Sequence, residues 1–342
     1  QGSKTADASG SGWPPDCDCT ETGEWLLTAG GSTRSGSFVF DRKKGVLSES
    51  ARRPLASIVF QPIGEGVLAT GPSVYPIVVK SEIIKELQNP ENDGAFFVLP
   101  SQLNGAEYIS CDDPCDLIGH YLWDNTAGPR GQLAIHPGIG QFLLDNAAQV
   151  ERPQGIDVTR SLFKAMSSSS GRGFACQNGY LRVPRWPCEE DFEAVAKDME
   201  AKLPSLCTVA ALDAVVAGLR PSLREWLPPA KHRVNMVYAS AVPVNSYNNP
   251  AATEDTRRRQ QHISSLLMRG AYFGALKLAL EKAAKAGTGA KKPRVYFMPL
   301  GGGVFNNNPK SIAESMQSAM QAAQALCGNA LEERLDVRIL TW

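Results

Sequence analysis

The chain has 342 residues, 43% of them hydrophobic, and its 35 lysines and arginines balance 35 aspartates and glutamates. That length can bury a large core as one elaborated domain or two smaller ones, and a zero net charge excludes a global field that draws in nucleic acid or anionic membrane, so any anion binding must be local. No apolar run reaches the roughly 18 residues that span a bilayer, and no charged-then-apolar signal order opens the chain, so the expectation is a cytoplasmic protein with neither membrane nor nucleic acid as partner.

In chain order, residues 1–24 are Gly/Ser/Asp-rich and nearly devoid of apolar side chains, which reads as a flexible leader; Gln1-Gly2-Ser3 resembles a protease-site remnant. Residues 25–110 form a β-rich stretch. Its short apolar runs at 25–27, 37–40, 57–60, 66–69, 75–79 and 95–99 read as strands, with a brief helix at 81–87. Residues 111–342 form the remaining unit. A polar loop, 116–138, feeds a helix carrying Ile139, Phe142, Leu143 and Ala147 on one face. Residues 192–219 read as mostly helical, and 220–230, with three prolines and a tryptophan, as a connector. The end of the chain alternates: a strand at 233–241, a long helix at 257–285, a strand entering a glycine loop, a helix with Ile312, Met316, Ala319, Met320 and Ala323 in register, and a last strand at 335–340. Such alternation implies an α/β fold, a mixed sheet covered by helices, with ligands at the carboxyl ends of its strands.

Eight cysteines are scattered through the chain, and only Cys17 with Cys19 and Cys111 with Cys115 stand as close pairs. This is too sparse for a disulfide scaffold, and no second pair has zinc-ligand spacing, so reduced thiols and no metal are expected.

Three loops carry the chemistry. The first, Gly301-Gly302-Gly303-Val304-Phe305-Asn306, follows the apolar run 295–300 and precedes a helix. Glycines let backbone amides approach a diphosphate, and Phe305 is suited to pack on a sugar or base; the plain alternative is a tight turn needing positive φ. The second follows the 233–241 strand and holds Asn245, Tyr247, Asn248 and Asn249, either turn formers or a tyrosine stacking on base or ribose beside amides that take hydroxyls. The third, 116–138, sets Asp116, Asp124, Asn125, Arg130, Gln132 and two histidines among glycines ahead of a helix. It suits a ribose and its anomeric carbon, or else is an exposed loop whose aspartates act as caps.

Together these loops resemble the macrodomain superfamily. The 301–306 run, followed by a helix and a final strand, looks like that superfamily's second phosphate loop, Gly-x-Gly-hydrophobic-Phe-Gly, and most resembles the form in poly(ADP-ribose) glycohydrolases. The resemblance implies a macrodomain-like mixed sheet between helices with an N-terminal β-rich elaboration. It also implies ADP-ribose as ligand or product, with no cofactor. The glycine amides would hold its diphosphate and Phe305 its distal ribose. Poly(ADP-ribose) glycohydrolases follow Gly-Gly-Gly with Gln-Glu-Glu, whereas this chain runs Gly128-Pro129-Arg130-Gly131-Gln132-Leu133-Ala134, with the glutamine and neither glutamate. The aspartate-rich loop and the Gly-Pro-Arg-x-Gln-Leu-Ala run are more similar to the divergent MavL-type branch, which implies an aspartate-driven removal of ADP-ribose from an arginine of ubiquitin.

Hydrolysis of an ADP-ribosyl bond needs a carboxylate to aim water at C1 of the ribose or to stabilise an oxocarbenium-like centre. Asp124 is the first candidate and Asp116 the second, with Asn125, Arg130 and Gln132 on ribose or phosphate and His136 a weaker acid–base candidate. Asp145-Asn146-Ala147-Ala148 echoes the Asn-Ala-Ala-Asn run of ordinary macrodomains but lies within a helix and is read as coincidence. The favoured function is a hydrolase acting on a mono-ADP-ribosylated protein. A reader that binds ADP-ribose without cleaving it, and a poly(ADP-ribose) glycohydrolase, stay open. A dinucleotide oxidoreductase is disfavoured, because no G-x-G-x-x-G follows the first strand.

Overall fold

The computed structural model describes residues 20–29, 32–41, 46–49, 53–102, 105–106, 118–147, 162, 164–166, 174–177, 179–182, 188–220, 225–244, 253–287 and 289–341. Strands β1 (Thr20–Ala29), β2 (Ser32–Asp41), β3 (Val46–Glu49) and β4 (Arg53–Pro62) form an antiparallel meander. Then come β5 (Ile77–Lys80), α1 (Ile83–Gln88), β6 (Phe96–Pro100), a 3-10 turn (Ile118–Trp123), α2 (Ala127–Leu133) and α3 (Pro137–Ala147). A small hairpin, β7 (Ala175–Gln177) and β8 (Tyr180–Arg182), precedes α4 (Glu189–Leu206), β9 (Thr208–Arg220) and β10 (Glu225–Ala239). The chain finishes with α5 (Glu254–Ala286), β11 (Arg294–Phe297), α6 (Pro309–Leu326), α7 (Leu331–Arg334) and β12 (Asp336–Thr341).

Among the described residues one ten-stranded sheet runs in the order β1-β2-β3-β4-β9-β10-β6-β11-β12-β5, with β7 and β8 paired apart from it. From β10 onward the neighbours are parallel, so the carboxyl ends of β10, β6, β11, β12 and β5 share one edge. Alternation along the strands builds two cores. On β6, Phe96 and Val98 face the layer of α4, α5 and α6, while Phe97 and Leu99 face the layer of α1, α2 and α3; on β11, Val295 and Phe297 oppose Tyr296 and Met298 in the same way. The expected mixed sheet sandwiched between helices is therefore present.

Several elements differ from the sequence reading. Residues 192–219 are not one helix, since α4 stops at Leu206 and 208–220 form β9 at the centre of the sheet. Val209 and Ala211 are buried on one face of β9 and Leu212, Ala214 and Val216 on the other. A strand buried on both faces has no alternating polarity to mark it, and its alanines read as helix. Of the proline-rich stretch, residues 225–230 are strand rather than connector, and residues 221–224 lie outside the described residues: β10 begins at Glu225 and carries register shifts between Leu227 and Pro229 and again between Pro229 and Arg233, irregularities that let a strand tolerate proline. Residues 65–68 are a turn rather than a strand, closed by Ala69 N–H donating to Gly66 O at 2.9 Å. Residues 20–24, read as leader, are paired with β2. The meander extends the sheet beyond β9, and β1 packs back against α3 and against the 3-10 turn that precedes Asp124.

Candidate functional site

A cavity of about 490 Å³ opens at the carboxyl edge of the parallel strands. Pro100, Ser101 and Gln102 leave β6, Ala239 and Ala241 close β10, and the segment 299–305 after β11 forms one wall without Gly302. Residues 124–130 at the start of α2 form the facing wall, with Glu82, Ile83 and Tyr180 completing the lining. Two of the three sequence-derived loops thus meet across one cavity. Asp116, Asn245 and Tyr247 lie outside the described residues.

The glycine loop is held from below by buried polar side chains. The Tyr272 hydroxyl donates to Met298 O at 2.6 Å and accepts from Leu300 N–H at 3.0 Å, and burial pushes its phenol above the ordinary value, so the donated proton stays in place. Asn307, 2% exposed, donates to Val242 O at 2.9 Å and accepts from Gln261 Nε2 at 3.0 Å, while the other atom of the Gln261 amide accepts from Asn308 N–H at 2.8 Å. Asn308 in turn caps α6 by accepting from Lys310 N–H at 2.9 Å. Gly301 sits at φ +67°, where a Cβ would stand 2.5 Å from Asn307 Nδ2 and 2.6 Å from Ala241 Cβ, so this glycine is sterically required. Gly302 and Gly303 are exposed with no positive φ, and Asn306 takes the left-handed region at φ 54°. The amides of Gly301 and Gly303 have no hydrogen-bond acceptor among the described residues and remain available to an anion. Val304 is half exposed at the cavity mouth. Phe305 is wedged between the two cores, its ring 5.7 Å from that of Tyr180, and its carbonyl accepts from Val244 N–H at 3.0 Å.

The facing wall is a turn that locks itself. Asp124 Oδ1 accepts from both Thr126 N–H and Thr126 Oγ1, each at 2.7 Å, while Oδ2 has no partner among the described residues. Thr126 is the N-cap of α2, yet its side chain makes no cap bond, an arrangement that forgoes about 1 kcal/mol of helix stabilisation. Arg130 Nη2 donates to Asn125 Oδ1 at 2.7 Å, and no carboxylate pairs with Arg130 among the described residues. A Cβ at Gly131 would lie 2.3 Å from Leu99 Cδ1, which explains the glycine in the Gly-Pro-Arg-Gly run: it seats α2 against β6.

Other candidates fall elsewhere. Gln132 is fully buried behind the wall, donating Nε2 to Gly105 O at 2.6 Å, and does not line the cavity. His136 is 5% exposed and also off the cavity; its Nδ1 accepts from Gly138 N–H at 3.2 Å at the start of α3, and burial pushes its pKa down to about 4. It is a neutral helix-capping histidine at pH 7. Asp145 lies on α3, away from the cavity, and accepts from Gln141 Nε2 at 2.8 Å.

Four polar lining residues outside the three loops were not singled out from sequence. Ser101 and Gln102 directly follow the apolar run of β6, and the strand-end rule that pointed to the other loops applies to them equally. Ser101 is 5% exposed and its Oγ has no partner among the described residues, a loss of about 1–3 kcal/mol that a bound polar group recovers. Gln102 Nε2 donates to the Tyr180 hydroxyl at 2.9 Å. Tyr180 carries no local signal, because it arrives from the remote β7–β8 hairpin. Glu82 is the N-cap of α1, two residues beyond the end of β5.

No family model and no curated protein matches the chain. Among solved structures it is similar to poly(ADP-ribose) glycohydrolase from Deinococcus radiodurans in complex with ADP-ribose. A point variant of that enzyme matches at 15% identity and a TM-score of 0.41, covering 84% of this chain and 86% of that one. Two crystal forms without that substitution match at 14% and 13% identity, with TM-scores of 0.41 and 0.36. A likeness at that level shows neither a ligand nor a reaction for this chain. No helix among the described residues is long and apolar enough to cross a membrane.

Proposed function

We propose that the protein is an ADP-ribosylhydrolase that removes ADP-ribose from a mono-ADP-ribosylated protein. The observation that carries this reading is the placement of Asp124, with one uncommitted carboxylate oxygen, in the same cavity as the Gly301 and Gly303 amides and Phe305. The glycine amides take the diphosphate, Phe305 packs on the distal ribose, and Arg130, held by Asn125, adds a cation to the anionic ligand's surroundings. The buried Ser101 hydroxyl takes a polar group of the ligand. Tyr247 and Asn245 are proposed to contact the base or ribose.

In the reaction a water oxygen bonds to C1 of the ribose as the bond from C1 to the protein side chain breaks. Asp124 accepts a proton from the water and releases it to solvent, from which the departing atom takes one, so the carboxylate is regenerated and free ADP-ribose and the unmodified side chain are left. Asp116 is proposed as its partner. Cleavage by glutamates following Gln132 is not favoured, because those two positions are Leu133 and Ala134, both packed in the core, and the one glutamate that lines the cavity, Glu82, comes from a different segment. An aspartate-driven reaction on arginine-linked ADP-ribosyl ubiquitin is accordingly the first substrate to test. Asp124→Ala should lower turnover by roughly 100-fold or more while ADP-ribose still binds, because the interaction counts mainly in the transition state. Full activity of this variant on arginine-, serine- and acid-linked substrates removes Asp124 from the mechanism, and a wild type that binds ADP-ribose but cleaves none of them is a reader.

A further inference from the structure

We infer that Thr126 is a positioning residue for Asp124, holding one oxygen of its carboxylate so that the other is left for the reaction; this rests on the reading of Asp124 as the reacting carboxylate. A threonine at a helix N-cap normally turns its hydroxyl toward the amides of the first helical turn. Thr126 has the extended backbone of an N-cap, φ −79° and ψ 157°, but makes no such bond. Its hydroxyl is directed backward instead, donating to Asp124 Oδ1 at 2.7 Å beside the bond from its own amide, also 2.7 Å.

The consequence is geometric. A carboxylate held by a single donor can swivel about its Cβ–Cγ bond, and either oxygen can take the contact. Here two donors from one residue meet on the same oxygen, so any rotation about Cβ–Cγ that carries this oxygen away breaks both bonds at once. The turn is itself anchored at each end: Asp124 N–H donates to the carbonyl of buried Tyr121 at 3.1 Å, and Arg130 N–H donates to Thr126 O at 3.2 Å. The hydroxyl therefore ties the carboxylate to a fixed backbone, and a small misplacement of such a group is costly in rate. Because Thr126 is exposed, removing its hydroxyl leaves no buried group unpaired and has little effect on folding.

The test compares Thr126→Val, Thr126→Ser and Asp124→Ala with the wild type, by steady-state hydrolysis of arginine-, serine- and acid-linked ADP-ribosylated peptides, calorimetry with ADP-ribose and thermal melting. Thr126→Val should lower kcat roughly 10- to 100-fold, with KM and the ADP-ribose Kd changed by less than about 2-fold, and Thr126→Ser should restore kcat. If Thr126→Val keeps its kcat while Asp124→Ala loses activity, the positioning role is wrong and the hydrolase reading stands. If Val and Ser variants lose activity equally along with melting temperature, Thr126 is a structural residue and the inference fails. An inert wild type, or an active Asp124→Ala, overturns the hydrolase reading and the role of Thr126 with it.

Discussion

Gly301→Ala isolates the part of the glycine loop that is sterically determined. At φ +67° an alanine incurs about 1–2 kcal/mol for the left-handed conformation alone. Its Cβ would also lie 2.5 Å from Asn307 Nδ2, and that amide cannot retreat without leaving its bonds to Val242 O, 2.9 Å, and Gln261 Nε2, 3.0 Å. Asn307 is buried, so breaking one of these adds about 1–3 kcal/mol, for a total of about 2–5 kcal/mol. The loss should appear twice: as lower stability in urea denaturation, and as weaker ADP-ribose binding by calorimetry, because the Gly301 amide moves with its backbone. Gly303→Ala is the control, since nothing lies within 4 Å of a Cβ there and its φ is not positive. It should change stability by less than about 0.5 kcal/mol. Gly302 is intermediate, its nearest neighbour being the tip of Ile312 at 3.3 Å. Equal stability and equal affinity for Gly301→Ala and Gly303→Ala would refute the claim that Gly301 shapes the loop.

Two further outcomes follow from buried groups. Tyr272→Phe leaves Met298 O and Leu300 N–H without their partner and should cost about 1–3 kcal/mol in stability, with a measurable loss of ADP-ribose affinity; unchanged values for both would mean that the loop is set by other contacts. His136 has a folded-state pKa near 4, below its ordinary 6.5, so the unfolded chain takes up the proton first as pH falls. Its contribution is complete above pH 6.5 and declines toward pH 4, by up to about 3 kcal/mol. The stability gap between wild type and His136→Gln should therefore shrink across that window, and a gap that stays constant would show that His136 is not held neutral.

The last 110 residues were readable because their signals are local. A buried strand running into glycines, an Asn-Pro helix start and apolar residues at helical spacing each act within a few positions, and β11, the loop and α6 stand where those signals put them. The Asp124 turn was likewise marked by its composition. Side-chain direction was not, so only the folded chain shows that Gln132 and His136 turn inward while Asp124, Asn125 and Arg130 line the cavity. Periodicity failed at β9, where helices cover both faces and no alternation survives to distinguish an alanine-rich strand from a helix. The cavity itself combines residues as far apart as Glu82 and Phe305, and Tyr180 reaches it from a separate hairpin. Local chemistry therefore set which loops could hold an anion or present a carboxylate, while the parallel pairing of β10, β6 and β11 decided that these loops share one edge, because strand order depends on contacts between segments that no local pattern encodes.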